Sequence, residues 1–248
     1  MPPPTTRYKT PAPPRESDPF DGILPVDKPS GPTSHDLVAA VRRRFGIRKV
    51  GHGGTLDPLA TGLLILLLGR GTKFSSRFMG TDKTYTGTLR LGITTNTLDA
   101  DGDVVAEQPV EGVTAERLQD EMAARRGDSF QTPPMVSAVK VDGVPLYKHA
   151  RQGRVIEREP RLIHVYDFRL TGFDPPHADF TLTCTKGTYV RTLCADIGDA
   201  LGCGAHLTAL RRTRSGELTV EQAIAFDTLM ALAPDALRNH VIPLGQFA

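Results

Sequence analysis

Cysteine is scarce in this sequence. There are three, Cys184, Cys194 and Cys203, widely spaced, odd in number and without a CxxC pair. That pattern excludes a disulfide framework and a zinc knuckle. The three read instead as buried free thiols in a reducing compartment. Long apolar runs are also missing: Leu63 to Leu68 is far short of a membrane span. The Pro-rich, polar beginning carries no signal peptide, so the expectation is a cytoplasmic protein with no membrane partner. Net charge is small, +2, which excludes a highly basic chromatin-type protein. It leaves nucleic acid open, because clustering of charge matters more than its total. The motifs of cofactor chemistry are absent too. Gly69 to Lys73 resembles a phosphate loop but lacks the Gly-Lys-Ser/Thr ending. There is no HExxH, no GxSxG and no dinucleotide fingerprint after a strand. Redox cofactors, nucleotide hydrolysis and a metal centre therefore find no support.

What is present is a globular composition, 39% hydrophobic and 23% charged, in 248 residues, enough to bury a core without staples. Residues 1–19 hold seven prolines and almost nothing apolar, and read as a disordered tail. Folding is expected to begin near Phe20, with a strand over Gly22 to Val26. Thr33 or Ser34 caps a helix from about His35 to Phe45. Leu63 to Leu68 reads as a buried central strand, Gly71 to Met79 as a short helix, and Thr84 to Leu91 as an alternating strand. Thr114 caps a helix to about Arg125. Val139 to Val144 looks like a hairpin with an Asp-Gly turn, and Pro145 suits the first position of a helix to about Gln152. Arg161 to Leu170, Ala178 to Thr185 and Ala205 to Arg211 are strand-like, and Thr188 to Leu201 has helical spacing. Thr219 and Gln222 form a capping box for a final helix through about Leu232. Strands and helices mix without a strict βαβ rhythm, which predicts an α+β fold.

The loop Gly51-His52-Gly53-Gly54-Thr55-Leu56-Asp57-Pro58 stands out. Its glycines permit tight turns and close approach to a ligand, and Pro58 holds Asp57 extended. By themselves these residues leave two readings open, a capping turn aspartate or a catalytic carboxylate. Three basic groups follow the same logic: Arg42, Arg43, Arg44, Arg48 and Lys49; Lys140, Lys148, Arg151, Arg154, Arg158 and Arg161; and Arg211, Arg212 and Arg214. They are either solvated faces or, if they converge, a phosphate-binding surface. Tyr85 reads either as half-buried core or as a base-stacking side chain. Arg191 reads either as a surface cation or as a partner for a carboxylate.

Taken together, eight stretches in order resemble the tRNA pseudouridine-55 synthase family (TruB type). They are Gly22 to Gly31, GHGGTLDPLATGLL at 51–64, DKTY at 82–85, TTNTLDADG at 94–102, QTPPMVSAVKVDG at 131–143, LYKHARQG at 146–153, GTYVRTLCADIG at 187–198 and HLTALRRTRSG at 206–216. The resemblance spans about residues 20 to 220. It implies a pseudouridine synthase fold, a mixed and largely antiparallel sheet flanked by helices with the active site in a basic cleft. It also implies a cofactor-free isomerisation of a uridine in the tRNA T-loop, position 55, with the T-arm as partner and the enzyme a monomer.

Residue by residue, the resemblance makes Asp57 the catalytic aspartate and Tyr85 the tyrosine that stacks on the target uracil. Arg191 becomes the arginine paired with the aspartate, and His52 a contact to RNA where the base is extruded. Tyr189 and Leu210 line the uracil pocket, and Asp99 belongs to a motif with no role assigned. Residues 20–248 form the catalytic domain, with an RNA-binding thumb near 129–155. Gly53 stands where many relatives carry Thr, which implies a looser loop. Met135-Val136 stands where an aromatic is common, which implies altered thumb packing. A full C-terminal PUA domain is not expected, and weaker binding or a shorter RNA footprint follows. The rival readings are a non-catalytic RNA-binding module, which has no need of Asp57, Tyr85 and Arg191 together, and a guide-directed isomerase of the same fold.

Overall fold

A computed structural model describes residues 20–247 apart from 138 and 142. The tail expected over residues 1–19 lies outside the described residues, as does the Asp of the Asp-Gly turn. In chain order the strands are β1 (Gly22–Lys28), β2 (Val50–His52), β3 (Thr61–Leu68), β4 (Lys83–Leu91), β5 (Ile93–Thr95), β6 (Val104–Glu107), β7 (Gly127–Gln131), β8 (Lys140–Val141), β9 (Val144–Pro145), β10 (Arg161–Asp174), β11 (His177–Cys184), β12 (Ala205–Ser215), β13 (Leu218–Thr219), β14 (Ile224–Ala225) and β15 (Ile242–Pro243). The helices are α1 (Ser34–Phe45), α2 (Ser75–Met79), α3 (Ala115–Ala124), α4 (Leu146–Ala150), α5 (Val190–Leu201) and α6 (Phe226–Ala231).

One large sheet runs β14-β1-β3-β12-β4-β11-β10-β7, with β2, β13 and β15 attached at its side. Its pairs are antiparallel except β1 with β14 and β3 with β12, so the α+β architecture with a largely antiparallel sheet holds. No helix among the described residues is long and apolar enough to cross a membrane.

The continuous apolar run of β3 has a physical cause. Side chains alternate across a strand, and β3 is buried on both faces. Leu64, Leu66 and Leu68 enter the main core. Leu63, Ile65 and Leu67 enter a smaller one with Ile23, Phe78, Leu218 and Phe247. Helix α1 begins with a full capping box: Thr33 accepts from the Asp36 amide, and the Asp36 carboxylate accepts from the Thr33 amide and hydroxyl. It stops at Gly46, whose φ of 64° is left-handed. Helix α5 lies close on β12: a Cβ at Gly198 would sit 2.1 Å from the Ala205 nitrogen. All three cysteines are buried and free.

Several boundaries differ from expectation. The segment read as one helix over 71–79 divides into a 3-10 helix, Gly69–Phe74, and the short α2. Gly71, in the 3-10 segment, packs directly on the backbone of Gly22, where a Cβ would meet the carbonyl oxygen at 2.3 Å. Pro145 pairs with Lys140 and precedes α4, which stops at Ala150. Helix α5 starts at Val190 because Thr188 is held in a turn, its hydroxyl donating to the Thr185 carbonyl. The box of Thr219 and Gln222 forms, but it opens only a 3-10 turn, Val220–Gln222. Ile224 and Ala225 then pair with β1, and this pairing interrupts the predicted helix; α6 follows separately.

Candidate active site

The loop after β2 is anchored at every step. Gly53 donates its amide to Ile65 at 2.8 Å. The Ser34 hydroxyl, at the start of α1, accepts from the Leu56 amide at 2.9 Å and donates to the Leu56 carbonyl at 3.1 Å. The Ala60 amide closes a turn on the Asp57 carbonyl at 3.1 Å. Two buried cations then clamp the loop from either side. Lys28, at the end of β1, has no exposed surface. Its Nζ donates to the carbonyls of Pro29, Pro58 and Ala60 at 2.9, 3.0 and 2.7 Å. Burial lowers its pKa to about 8. Arg212, on β12, is 2% exposed and donates to the carbonyls of Leu63, Thr55 and Gly54. Lysine offers three donors and arginine five, so each cation holds several carbonyls of the loop at once.

Asp57 projects from this clamped loop into a cleft of about 870 Å³. Its side chain keeps 41% of its surface open to the cleft, while protein encloses it on the other sides. That loss of water pushes its carboxyl above the usual carboxylate range. The Arg191 guanidinium is the largest opposing influence, Asp99 and Asp101 add to the rise, and Lys28 opposes it.

Arg191 reaches Asp57 from the first turn of α5 and is 3% exposed. Its Nη1 donates to Oδ2 of Asp99 at 3.3 Å and its Nη2 to the Val136 carbonyl. Its Nε has no hydrogen-bond partner among the described residues and lies 3.7 Å from Oδ2 of Asp57. Asp99 is held in turn by the Thr97 hydroxyl and by the Asp101 amide at 3.2 Å. The start of α5 is fixed by buried Gln131, which accepts from the Tyr189 amide at 2.7 Å and donates to its carbonyl at 3.2 Å. The Tyr189 ring lies 5.8 Å from the Arg191 guanidinium.

Tyr85 lies opposite Arg212 in the β4–β12 register and is 8% exposed. Burial pushes its hydroxyl up to about 12, against an opposing hydrogen bond from Arg212. Leu210, two residues before Arg212, shares its face of β12. It is buried in the main core and borders a separate concavity of about 420 Å³ rather than the Asp57 cleft. His52 lines the cleft, and its Nδ1 accepts from the Gly54 amide at 3.4 Å. Burial and the nearby Arg212 and His35 lower its pKa, which keeps the ring neutral.

Asp57, Tyr85, Arg191 and Arg212 sit within two recognisable sequence segments, while Lys28 and Ser34 precede them. Residues 42–190 match the family model of the TruB family pseudouridylate synthase N-terminal domain, and residues 191–247 that of the tRNA pseudouridylate synthase B C-terminal domain. The chain belongs to the TruB family. The tRNA pseudouridine synthase B of Opitutus terrae is 51% identical over 229 residues, 92% of this chain and 95% of that protein. That of Syntrophotalea carbinolica is 50% identical over 216 residues, 87% and 71% respectively. Among solved structures, a chain in the crystal structure of a Cbf5-Nop10-Gar1 complex aligns with a TM-score of 0.71 at 29% identity. It covers 93% of this chain and only 62% of its own length. The two family segments of this TruB chain are not separate bodies: they meet at the start of α5, and β12 from the second lies between β3 and β4 of the first.

Within this TruB-family site, several sequence expectations change. Gly53 does not loosen the loop: a Cβ there would stand 2.6 Å from Cβ of Phe78, so the packing itself demands glycine. Met135 and Val136 both line the Asp57 cleft, but Val136 serves Arg191 through its carbonyl, which any residue supplies. The group Arg211, Arg212 and Arg214 is not a phosphate surface. Arg212 is buried, Arg211 makes a bidentate pair with Asp27 at 3.0 and 2.7 Å, and Arg214 donates to the Gly216 carbonyl. Sequence reasoning missed Lys28 and Arg212 as loop clamps and Asp99 as the holder of Arg191. The available signal was a charged residue inside a strand that is otherwise buried, as Lys28 is at the end of β1.

Proposed function

We propose that this chain converts a uridine of tRNA into pseudouridine, at position 55 in the T-loop, with Asp57 as the catalytic carboxylate. One observation carries the reading: the carboxylate at the floor of an open cleft faces the unpartnered Nε–H of a buried arginine whose other nitrogens are already tied down. That geometry keeps a partly desolvated carboxylate ionised and fixes its direction. The substrate class comes from the relatives named tRNA pseudouridine synthase B.

The reaction is an isomerisation and balances without a co-reactant. The C1′–N1 glycosidic bond breaks, the uracil turns, a C1′–C5 bond forms, C5 loses its proton and N1 gains one. An ionised Asp57 serves each of three routes: attack on ribose C1′, attack on uracil C6, or assistance to elimination through a glycal. The target base leaves its stack to reach Asp57, at a cost of a few kcal/mol. Stacking on an aromatic returns about 1–3 kcal/mol; in this reading Tyr85 supplies that face with Tyr189 beside the uracil, while Leu210, which borders a separate concavity, is not part of that pocket. His52, neutral at the cleft wall, contacts RNA where the base leaves. Arg151 and Arg154, from the thumb segment near 129–155, line the same cleft and meet the T-arm backbone. The enzyme acts as a cytoplasmic monomer.

The test uses an unmodified tRNA transcript, and a second with cytidine in place of the T-loop uridine. Pseudouridine confined to that position in the first is the expected result. Product at other uridines, or none, overturns the reading.

A further inference from the structure

A second concavity, of about 440 Å³, opens on the other side of His52. Arg42, Arg48 and Lys49 line one wall, and Thr72 and Ser75 the other. No carboxylate lines it, and none of the three cations forms an ion pair among the described residues. The neighbouring basic residues are otherwise employed or placed. Arg44 turns away to donate to the carbonyls of Met230 and Leu232 at 3.1 and 2.6 Å, and Arg43 does not line the concavity. Arg42 complements the C-terminus of α1, but Arg48 and Lys49 lie beyond that helix and gain nothing from its dipole.

The wall holding them is rigid. Ile47 is 2% exposed, Val50 pairs with Leu68, and the Lys49 carbonyl accepts from the Gly69 amide at 2.8 Å. Thr72 spends its hydroxyl on the Gly69 carbonyl at 2.8 Å, whereas the half-buried Ser75 hydroxyl makes no hydrogen bond among the described residues. Three cations and one hydroxyl around a polar hollow with no anion of its own suit a phosphate group. The segment that sequence reading set aside as a nucleotide loop thus contributes a wall of an anion pocket of a different kind. His52 borders both this hollow and the Asp57 cleft. Lys49 is three residues from His52, roughly 10 Å along the strand.

We propose that this pocket binds one backbone phosphodiester of the RNA strand that delivers its nucleotide to Asp57. The proposal rests on the RNA-modifying reading above and adds to it a phosphate subsite that fixes the strand beside the extruded base.

The experiment measures binding of the full chain to an unmodified T-arm stem–loop by fluorescence anisotropy from roughly 50 to 200 mM salt. The native chain, the double variant Arg48→Ala/Lys49→Ala and the control Arg43→Ala are compared. Losing one phosphate contact lowers the slope of log affinity against log salt by about 0.7–0.9. Over a fourfold salt range this is about a 2.6- to 3.5-fold smaller change in affinity. KM of the double variant rises while its kcat moves by less than about twofold. In a second arm, single phosphates of the stem–loop are replaced by neutral methylphosphonate. One position weakens the native chain and is silent in the double variant. An unchanged slope, an equal loss in Arg43→Ala, or no such position overturns the proposal. So does competition by inorganic phosphate with every methylphosphonate silent, which marks a free-anion site. Failure of the RNA-modifying reading is distinct: the native chain then forms no pseudouridine, whatever the salt slope.

Discussion

Replacing Arg191 by methionine separates its two duties. The side chain is 3% exposed and its partner Asp99 is 6% exposed, so the substitution strands a buried carboxylate. Removing one member of such a pair costs about 3–5 kcal/mol. Asp99 retains the Thr97 hydroxyl and the Asp101 amide, which places the expected loss near the lower end, about 3 kcal/mol. Asp57 adds little to that figure, since its carboxylate is partly solvated and the contact is 3.7 Å long. The double variant Arg191→Met/Asp99→Asn leaves no stranded charge and recovers about 1–2 kcal/mol of stability. Turnover behaves differently. Without the guanidinium, Asp57 loses both its orientation and the strongest influence keeping it ionised. In both variants kcat falls about a hundredfold or more. Urea unfolding followed by circular dichroism reads the first quantity, and pseudouridine formation at saturating tRNA reads the second. If the double variant regains turnover together with stability, Arg191 is a strut and not a partner of Asp57. A single variant losing less than about 1 kcal/mol refutes the buried-pair assignment.

Other consequences are as direct. Lys28→Met fills the space but removes the ammonium donor from the Pro29, Pro58 and Ala60 carbonyls, of which Pro58 keeps the Gly31 amide. It lowers activity more than about tenfold with a stability loss of roughly 2 kcal/mol, and full activity in steady-state assays would show that the clamp is dispensable. Gly53→Thr collides with Phe78 and destabilises by about 1–3 kcal/mol; equal urea midpoints would contradict that packing. The raised pKa of Asp57 predicts that kcat/KM falls with acidification through a midpoint above the ordinary carboxylate range. The sign for stability is opposite. A carboxyl whose folded pKa is raised favours the native state below its unfolded pKa, and that contribution is lost as pH rises through the folded value. Ionised Asp57 therefore costs stability at neutral pH, and Asp57→Asn melts no lower than the native chain at pH 7; a clear drop in Tm would overturn the desolvation argument.

Local signals were legible where local physics dominates. The cap at Thr33 or Ser34 and the helix running to Phe45 follow from capping and periodicity, and the leucine run of β3 announced a buried central strand; the Asp36 half of the capping box and the stop at Gly46 came from the structure. Asp57, Tyr85 and Arg191 became legible as a set only through family motifs, because residues so far apart in the chain leave no local trace of their meeting. The buried cations show the limit most clearly. Arg212 reads as one of a basic trio, yet its surroundings are carbonyls from a distant loop, and no periodicity reports on carbonyls. The capping box at Thr219 marks a helical turn correctly and is silent on how long it runs; the pairing of Ile224 with β1 decides that.

The central claim is that Asp57 performs chemistry on a tRNA uridine. Its most direct test incubates the native chain and Asp57→Asn with the same unmodified tRNA transcript and maps pseudouridine by position. Product at the T-loop uridine from the native chain, and none above background from a variant that still folds and binds the transcript, is the predicted result. Equal product from the two chains would contradict it.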